Sequence, residues 1–396
     1  MNRIDELIKR LCHNGVPYIK LQEIAEIGTG NSDRKDAVEN GDYPFYVRSK
    51  DILRIDKYEY DETAIIIPGE GGIGEIFHYV EGKYALHQRA YRIHIIDNKL
   101  NTKYLYYYMS SMFKKFIMKK AVSATVTSIR KPMIEQFPVP VPPLDVQCKI
   151  VHILDDFTLL SAELSAELKA RREQFNYYRS KLFEKYPSDF VELDSIGDVT
   201  KLAGFEFTKY VKYSQEGNII ALRGLNVKDG MLVLNDIKYI DNSDFSKLER
   251  SKLYKNDLLY TYVGTVGQVG LVDQNNKYYL APNVARIRIN NSKVLPKFVM
   301  YFLQTPEFKV NQLDKLTGAS SMKNITMTNI RKFKIPLPSI EEQERIVNIL
   351  DKFDKYCNNI SEGLPAEIEA RQKQYEYYRD KLLTFKELKS KWINIM

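Results

Sequence analysis

The chain has 396 residues, of which 44% are hydrophobic and 12% are aromatic. This composition can build two or three packed domains and excludes a globally disordered protein. The three cysteines, Cys12, Cys148 and Cys357, form no CxxC pair, which excludes a disulfide framework and a zinc knuckle. A net charge of +8 permits a nucleic acid partner without requiring one.

The sequence shows neither a secretory signal nor a membrane helix. Its first fifteen residues, MNRIDELIKRLCHNG, are charged throughout and lack the apolar run of a signal peptide. No apolar run elsewhere approaches the roughly 18–20 residues that a membrane helix needs. With so few cysteines, the sequence therefore predicts a protein of the reducing cytoplasm.

The N-terminal part of the chain is predicted to be a short helical segment, residues 1–15, followed by a globular domain, residues 16–143. That domain is rich in Tyr, Ile, Val and Gly, and alternating runs such as AYRIHI (90–95) favour strands. The run YLYYYM (104–109) has aromatic residues at helical spacing. Such a run is more typical of core packing than of base stacking.

The segment GEGGIG (69–74) matches the GxGxxG pattern of dinucleotide-binding loops. In those loops a helix follows the glycines, and its N-terminal amides bind the pyrophosphate. Here the strand-like run EIFHYV follows instead. A related loop, GTVGQVG (264–270), also lies between strand-like runs. Both loops are therefore predicted to be hairpin turns, and no cofactor is expected.

Residues 144–186 are predicted to form one helix of 43 residues, far longer than an average helix. Its apolar residues are spaced by three or four, as on one helix face: Ile150, Leu154, Phe157, Leu160, Leu164 and Leu168. A second β-rich domain is predicted over 187–339, and a second helical region with tail over 340–396. Gly363 and Pro365 could kink or restart that second helix. Helices this long need packing partners.

The chain contains an internal repeat of nearly 200 residues. FPVPVPPLDVQCKIVHILDDF (137–157) returns 196 positions later as FKIPLPSIEEQERIVNILDKF. ARREQFNYYRSKL (170–182) returns 200 positions later as ARQKQYEYYRDKL, so the second copy has gained four residues in between. The globular parts match weakly, as where YIKLQEIAEI echoes FVELDSIGDV. We expect a duplicated module whose two helices pack on each other, with each Pro-x-Pro run acting as a boundary that joins no strand ladder.

DNA readout needs hydrogen-bond donors and acceptors on exposed loops, and both globular domains offer them. The segments YVRSKDI, ALHQRAY and SATVTSIRK belong to the first domain, and ALRGLNV, GTVGQVG, LAPNVAR and GASSMKN to the second. For any single residue, solvated surface is an equally good interpretation, and Arg286 and Arg288 on one strand face are more simply read as facing water. The candidate DNA-binding residues are Arg48, Ser49, Lys50, His87, Gln88, Arg89, Ser123, Thr125, Thr127, Arg130, Lys131, Arg223, Asn226, Thr265, Gln268, Asn283, Ser320, Ser321, Lys323 and Asn324.

Sequence motifs of catalysis are missing. The chain has no NPP[FY] motif of an amino-methyltransferase, no GxxxxGK[ST] phosphate-binding loop and no HExxH pair. Its five histidines suggest no metal cluster. The sequence thus predicts a reader and scaffold rather than an enzyme.

The order of these segments, ending in EEQERIVNILDKFD and EIEARQKQYEYYRDKLL, resembles the specificity subunit of type I restriction–modification systems. The resemblance implies an α+β fold in which two long antiparallel helices form a coiled-coil-like stalk between two β-rich target recognition domains, with a pseudo-twofold repeat. It further implies a non-catalytic subunit in which each domain reads half of a split DNA site. Two methyltransferase subunits and two motor–nuclease subunits would be its partners. The aromatic residues that would face a methyltransferase are Tyr177, Tyr178, Tyr375, Tyr377 and Tyr378.

The central helix contains a tandem tetrapeptide, SAELSAEL (161–168). Four helical residues rise about 6 Å, against about 3.4 Å for one base-pair step. We therefore expect the number of copies to set the spacer between the two DNA half-sites, although slippage without consequence is the alternative. Two other functions stay open: a scaffold with protein-binding domains, and the recognition subunit of a related fused restriction–methylation enzyme.

Overall fold

The computed structural model describes residues 2–120, 128–186, 190–202, 207, 209–317, 324–358 and 363–388. The chain divides into two compact units. One consists of Met1–Leu164 and Ile368–Met396, and the other of Ser165–Glu367. Both units mix helices with β-sheets, as the α+β prediction requires.

The first unit is built on a six-stranded sheet with the order β2-β7-β5-β6-β3-β4, in which only β3 and β6 are parallel. Strands β1 and β8 form a separate antiparallel pair. Its helices are α1 Asn2–Leu11, α2 Leu21–Ile24, α3 Thr102–Lys120 and α4 Lys131–Glu135. Its strands are β1 Tyr18–Lys20, β2 Ala25–Thr29, β3 Tyr43–Tyr46, β4 Ile52–Ile55, β5 Tyr60–Pro68, β6 His78–Leu86, β7 Ala90–Ile95 and β8 Pro138–Pro140.

The second unit has a four-stranded antiparallel sheet with the order β10-β17-β14-β15, a parallel pair β11-β16, and the antiparallel pairs β12-β13 and β9-β18. Its strands are β9 Phe190–Glu192, β10 Gly197–Lys201, β11 Ile220–Leu222, β12 Val227–Lys228, β13 Met231–Leu232, β14 Leu258–Thr261, β15 Val269–Leu271, β16 Tyr278–Leu280, β17 Val284–Ile289 and β18 Lys334–Pro336. Its short helices are α6 Leu193–Ile196, α7 Pro296–Phe302, α8 Pro306–Phe308, α9 Asp314–Leu316 and α10 Met327–Arg331.

Three longer helices complete the chain: α5 Leu144–Phe183, α11 Ile340–Asn358 and α12 Leu364–Leu382. The long central helix is confirmed, and the division between the units falls inside it, after Leu164 and before Ser165. The C-terminal helical region is two helices rather than one. Gly363 precedes the second of them with a φ of +106°, a conformation that β-carbons disfavour, and Pro365 lies in its first turn, where no N–H is needed.

Both glycine loops are hairpin turns, as predicted. GEGGIG follows β5, and the next regular element is the strand β6 rather than a helix. Gly71, Gly72 and Gly74 have φ between +57° and +70°. GTVGQVG connects the antiparallel strands β14 and β15, and its last two residues, Val269 and Gly270, begin β15. The run YLYYYM is part of α3, where Tyr104, Leu105 and Met109 are fully buried.

The prediction that the Pro-x-Pro run joins no strand ladder is wrong. Pro138–Pro140 is strand β8, paired with β1, and the repeat places Pro336 in β18 paired with β9. The backbone bonds explain why prolines fit. Phe137 accepts from Leu21 N–H and Val141 donates to Pro17 C=O, so the odd-numbered positions face the partner strand. Pro138 and Pro140 lie between them, where a missing N–H costs no ladder bond.

A buried glutamine holds the start of each repeated helix. Gln147 accepts a bond from Asn101 N–H at 2.8 Å and donates to the carbonyls of Lys99 and Pro142, both at 2.7 Å. Its repeat equivalent, Gln343, is equally buried. It accepts from Leu295 N–H and donates to the carbonyls of Lys293 and Pro338, all at 2.9 Å. One amide thus joins the start of the helix, and the turn just before it, to a segment 46 to 50 residues away in each unit.

About two turns further along each helix, a carboxylate makes equivalent contacts in the two units. Asp155 accepts from the hydroxyl of Tyr107 at 2.5 Å and pairs with Lys103 at 2.9 Å. In the second unit Asp351 accepts from Tyr301 and pairs with Lys297, both at 2.7 Å. Burial and the hydrogen bond to the carboxylate raise the pKa of both tyrosines, which keeps them protonated donors. The repeat seen in the sequence is therefore a repeat of contacts.

Helix pairing, the other structural prediction, is present within each unit. In the first unit Phe157 of α5 stacks on Tyr378 of α12, with ring centroids 5.7 Å apart and planes at 28°. In the second unit Tyr178 of α5 stacks on Phe353 of α11, at 5.7 Å and 29°. Phe353 is the repeat equivalent of Phe157, and Tyr378 that of Tyr178. The two contacts are therefore the same contact with its partners exchanged.

Replacing Gln147 with leucine tests the buried amide. The variant leaves the N–H of Asn101 and two carbonyls without partners, each costing about 1–3 kcal/mol. We expect Gln147→Leu to lower the free energy of unfolding by at least about 3 kcal/mol in urea denaturation. Gln372→Leu, on the exposed face of α12, is the control and should change it by less than about 0.5 kcal/mol. Equal effects of the two variants would show that the buried amide is not what joins these segments.

Candidate nucleic-acid interface

The two units share one backbone frame around the candidate DNA-binding loops. In the first unit Gly69 N–H donates to Arg89 C=O at 2.9 Å, and Ile129 N–H donates to Gly69 C=O at 2.7 Å. In the second unit Tyr262 N–H donates to Asn283 C=O at 3.2 Å, and Ile325 N–H donates to Tyr262 C=O at 3.0 Å. The next residues along, Glu70 with Ser128 and Val263 with Asn324, form the same antiparallel bridge.

A parallel strand pair completes this frame. Tyr46 lies opposite Leu86 where β3 meets β6, and Leu222 lies opposite Leu280 where β11 meets β16. His87 N–H then donates to Tyr46 C=O at 2.9 Å, and Ala281 N–H to Leu222 C=O at 3.1 Å. In the first unit these bonds place the segments containing Arg48 and Arg89 side by side. In the second unit the equivalent bonds place the segments containing Arg223 and Asn283 side by side.

In the first unit an acidic residue lies between two candidate arginines. Glu70 pairs with Arg48 at 2.8 Å and with Arg89 at 3.2 Å, and all three side chains are 40% to 59% exposed. The hydrogen bond and charge of Arg89, with a smaller contribution from Arg48, hold the pKa of Glu70 below its usual range. Glu70 is therefore ionised at neutral pH. It is the member of this site that sequence reasoning missed, because only the fold brings it to the arginines.

Other candidates of the first unit differ in accessibility. Lys50, Arg130 and Lys131 are exposed. Gln88 is exposed as well, although its amide donates to Asp33 at 2.8 Å. The hydroxyl of Ser49 donates to Asp51 C=O at 3.1 Å.

His87 is a correction to the prediction. It is 3% exposed, and its Nδ1 accepts from Arg89 N–H at 2.9 Å. Burial, followed by the charge of Arg48, lowers its pKa, so the ring is neutral at physiological pH. The imidazole holds the backbone of Arg89 in place, and its burial removes the exposed donor or acceptor that the prediction required.

Asn226 is a second correction. It is fully buried, where the prediction needed an exposed amide. Its side chain accepts from Arg223 N–H at 3.1 Å and donates to the carbonyls of Val233 and Asp236, both at 2.8 Å. The amide of Asn226 therefore holds the two ends of the loop 223–236 together. The Arg223 side chain pairs with Asp236 of the same loop at 3.0 Å.

The remaining described candidates of the second unit form a polar, uncharged rim. Thr265, Asn283 and Asn324 are exposed, and Asn283 has a φ of +69° at the tip of its loop. Gln268 is half-buried and accepts from Asp229 N–H at 3.3 Å. Six candidates lie outside the described residues: Ser123, Thr125, Thr127, Ser320, Ser321 and Lys323.

The strand arginines Arg286 and Arg288 differ in exposure, and each is paired with a carboxylate. Arg286 is buried and pairs with Asp198 at 2.7 Å, and Arg288 pairs with the buried Asp257, also at 2.7 Å. Both are therefore held by carboxylates of their own unit. The expectation that they simply face water is wrong for the buried Arg286, whereas the Arg288 side chain is 35% exposed.

The tyrosines expected to meet a partner subunit fall into two groups. Tyr177 and Tyr377 point outward, with 58% and 65% of their surface exposed. Tyr178 and Tyr378 stack one ring face on Phe353 and Phe157 of the paired helix, whereas Tyr375 contacts Phe157 edge-on. Each outward tyrosine packs edge-on against its inward neighbour, at 5.5 Å in one repeat and 5.2 Å in the other.

The described part of the chain holds no group of three or more His, Cys, Asp or Glu side chains arranged to bind a metal ion. Within the same residues, no helix is both long and apolar enough to span a membrane.

Known proteins share both the sequence and the fold. The family model of the type I restriction modification DNA specificity domain matches twice, at residues 14–171 and 187–370. A putative type I restriction enzyme specificity subunit of Haemophilus influenzae is 28% identical over 96% of this chain and 98% of its own. The EcoR124I/EcoR124II specificity subunit of Escherichia coli is 33% identical over 73% of this chain and 72% of its own.

Solved structures agree on the fold. The type I restriction–modification S subunit from M. genitalium has a TM-score of 0.56 at 16% identity, over 93% of this chain and 96% of that one. A chain from a structure on complex assembly of the type I restriction–modification system has a TM-score of 0.61 at 14% identity, over 93% and 97%. The two family matches correspond to the two copies of the repeat. This chain belongs to the family of type I restriction–modification specificity subunits.

Proposed function

We propose that this chain is the DNA-reading subunit of a cytoplasmic type I restriction–modification complex, in which each globular domain reads one half of a bipartite, asymmetric site. The target recognition domains are residues 16–143 and 187–339. The segments 144–186 and 340–396 act as helical spacers, and residues 1–15 are an N-terminal helical segment. As a specificity subunit, the chain recognises DNA and catalyses no reaction.

One observation carries the proposal: equivalent positions of one backbone frame hold unlike side chains. Where the first unit has Glu70 and Arg89, the second has Val263 and Asn283. Arginine pairs bidentately with guanine, whereas the amide of asparagine pairs with adenine, each for about 1–3 kcal/mol of discrimination. The same frame can therefore present two different base preferences, as an asymmetric site requires.

The partners follow from the same assignment. Double-stranded DNA, two methyltransferase subunits and two motor–nuclease subunits are the proposed partners. The outward rings of Tyr177 and Tyr377, at equivalent positions of the two repeats, are suited to two copies of one methyltransferase subunit. A scaffold for other proteins is the rival function. Its binding would respond weakly to salt, whereas a DNA reader loses orders of magnitude in affinity between about 50 and 200 mM.

Replacing one reading residue in each unit tests the proposal. Arg89→Ala should relax base preference in one half of the methylated site and leave the other half unchanged, and Asn283→Ala should do the reverse. The measurement is methylome sequencing of cells that express each variant with the partner subunits. An unchanged sequence motif with both variants, or relaxation of both halves by one variant, would contradict two independent reading domains.

Glu70 is expected to limit binding to the DNA backbone. Because it neutralises Arg48 and Arg89, Glu70→Gln should free both for phosphate contacts, raising non-specific affinity and steepening its salt dependence by about one to two charges. Fluorescence anisotropy of the assembled complex with an unrelated duplex, at several salt concentrations, measures this. Glu39→Gln, an exposed change of the same charge, is the control. Equal salt slopes for both variants would exclude this role.

The tandem tetrapeptide is the proposed spacer element. The division between the two compact units falls between the SAEL copies, after Leu164. Inserting a third copy after Leu168 adds about 6 Å of helix and should lengthen the DNA spacer by one to two base pairs. Methylome sequencing again gives the readout, with both half-site sequences unchanged. A spacer of the original length would reject this role and leave DNA reading intact.

A further inference from the structure

The second unit contains a buried arginine that lacks the counter-ion of its repeat equivalent. Arg379, in the first unit, donates from Nε and a terminal nitrogen to Asp380 at 3.0 and 2.8 Å. The equivalent Arg179 is followed by Ser180 instead. Both arginines lie over an equivalent ring, Arg179 over Phe175 at 5.1 Å and Arg379 over Tyr375 at 5.7 Å. Both copies therefore have the arginine and the aromatic ring beneath it, whereas the aspartate that follows Arg379 is replaced by Ser180 after Arg179.

The polar contacts of Arg179 are neutral and incomplete. Only 8% of the residue is exposed. One terminal nitrogen donates to Asn176 at 2.8 Å and the other reaches Gln304 at 3.5 Å, while Nε has no partner. Among the described residues no carboxylate lies within ion-pair distance of it. The carboxylates of Asp229, Asp354 and Glu307 act on it only from beyond that distance, and a buried cation without a directly bonded anion is costly. Burial accordingly lowers the pKa of the guanidinium.

Arg179 lines a cavity of about 370 Å³ within the second unit. Three further cations line it: Arg172, Lys228 and Lys309, all exposed and without an ion pair in the described structure. Asp229 is its one acidic residue. The cavity therefore has four positive charges against one negative, with a desolvated guanidinium among them, which is the environment that phosphate oxygens prefer.

We propose that this cavity binds a phosphate group. The chemistry fits two sources, free inorganic phosphate and a phosphate of the DNA backbone. Gly267 and Gln268, from the hairpin loop at the candidate DNA interface, also line the cavity. The DNA source rests on the proposed function, whereas the free-phosphate source does not.

The test gives Arg179 the carboxylate that Arg379 already has. Ser180→Asp places it at the position of Asp380 and should occupy the guanidinium without opening a cavity. Ser195→Asp, at an exposed serine of the same unit, is the matched control. Lys309→Gln removes an exposed cation that lines the cavity. It tests the same site independently if Ser180→Asp fails to fold.

Two measurements distinguish the sources. The first is the melting temperature of the full chain in inorganic phosphate against sodium chloride of equal ionic strength. The second is the salt slope of DNA binding by the complex with its methyltransferase subunits. A free-phosphate site predicts a phosphate-specific rise in melting temperature that Ser180→Asp and Lys309→Gln abolish. A DNA-backbone site predicts a salt slope shallower by about one charge in both variants. In either case Ser195→Asp behaves as the parent.

The proposal is overturned if phosphate gives no specific rise in melting temperature and both variants keep the parent salt slope. If the proposed function itself is wrong, the parent complex binds no DNA at all. The melting-temperature measurement in phosphate then decides by itself whether the cavity binds phosphate.

Discussion

The fold depends on one constraint that is met twice: a buried glutamine amide must satisfy three backbone groups at the start of a helix. Gln147 and Gln343 each bond an N–H and a carbonyl of one segment 46 to 50 residues away in the chain, and a carbonyl five residues before the glutamine itself. Because unpaired buried groups are costly, the amide fixes where each globular domain meets its helix. The carboxylates Asp155 and Asp351 add a second fixed point. A globular domain attached in this way can vary its loops without losing its position.

The attachment also explains why the backbone of the two units is the same while the side chains of their loops differ. Backbone hydrogen bonds and parallel strand pairs build the same frame in both units, and they place no demand on the side chains that project from it. Glu70 and Arg89 can therefore become Val263 and Asn283 without a change of fold. Side chains that complete the frame, such as His87 and Asn226, are buried and bonded. The variable surface and the fixed interior are thus interleaved along the same loops.

Self-comparison of the sequence predicted the helices and the duplication well, because those parts are nearly copied and their apolar spacing is regular. Ile150 and Leu154 are buried as the periodicity indicates. It failed where burial depends on distant segments. The Pro-x-Pro strands, the burial of Asn226 and the pairing of Glu70 with two arginines each require a partner that no local pattern reveals. The residues that could read DNA were therefore only partly separable from those that hold the loops.

The central claim is that two differently equipped copies of one frame each read their own stretch of DNA. Its most direct test is a binding profile of the assembled complex on a target duplex in which every base pair is substituted in turn. The account predicts two separate clusters of sensitive base pairs, unlike in sequence, with an insensitive stretch of fixed length between them. A single continuous cluster, or two identical half-sites, would contradict it.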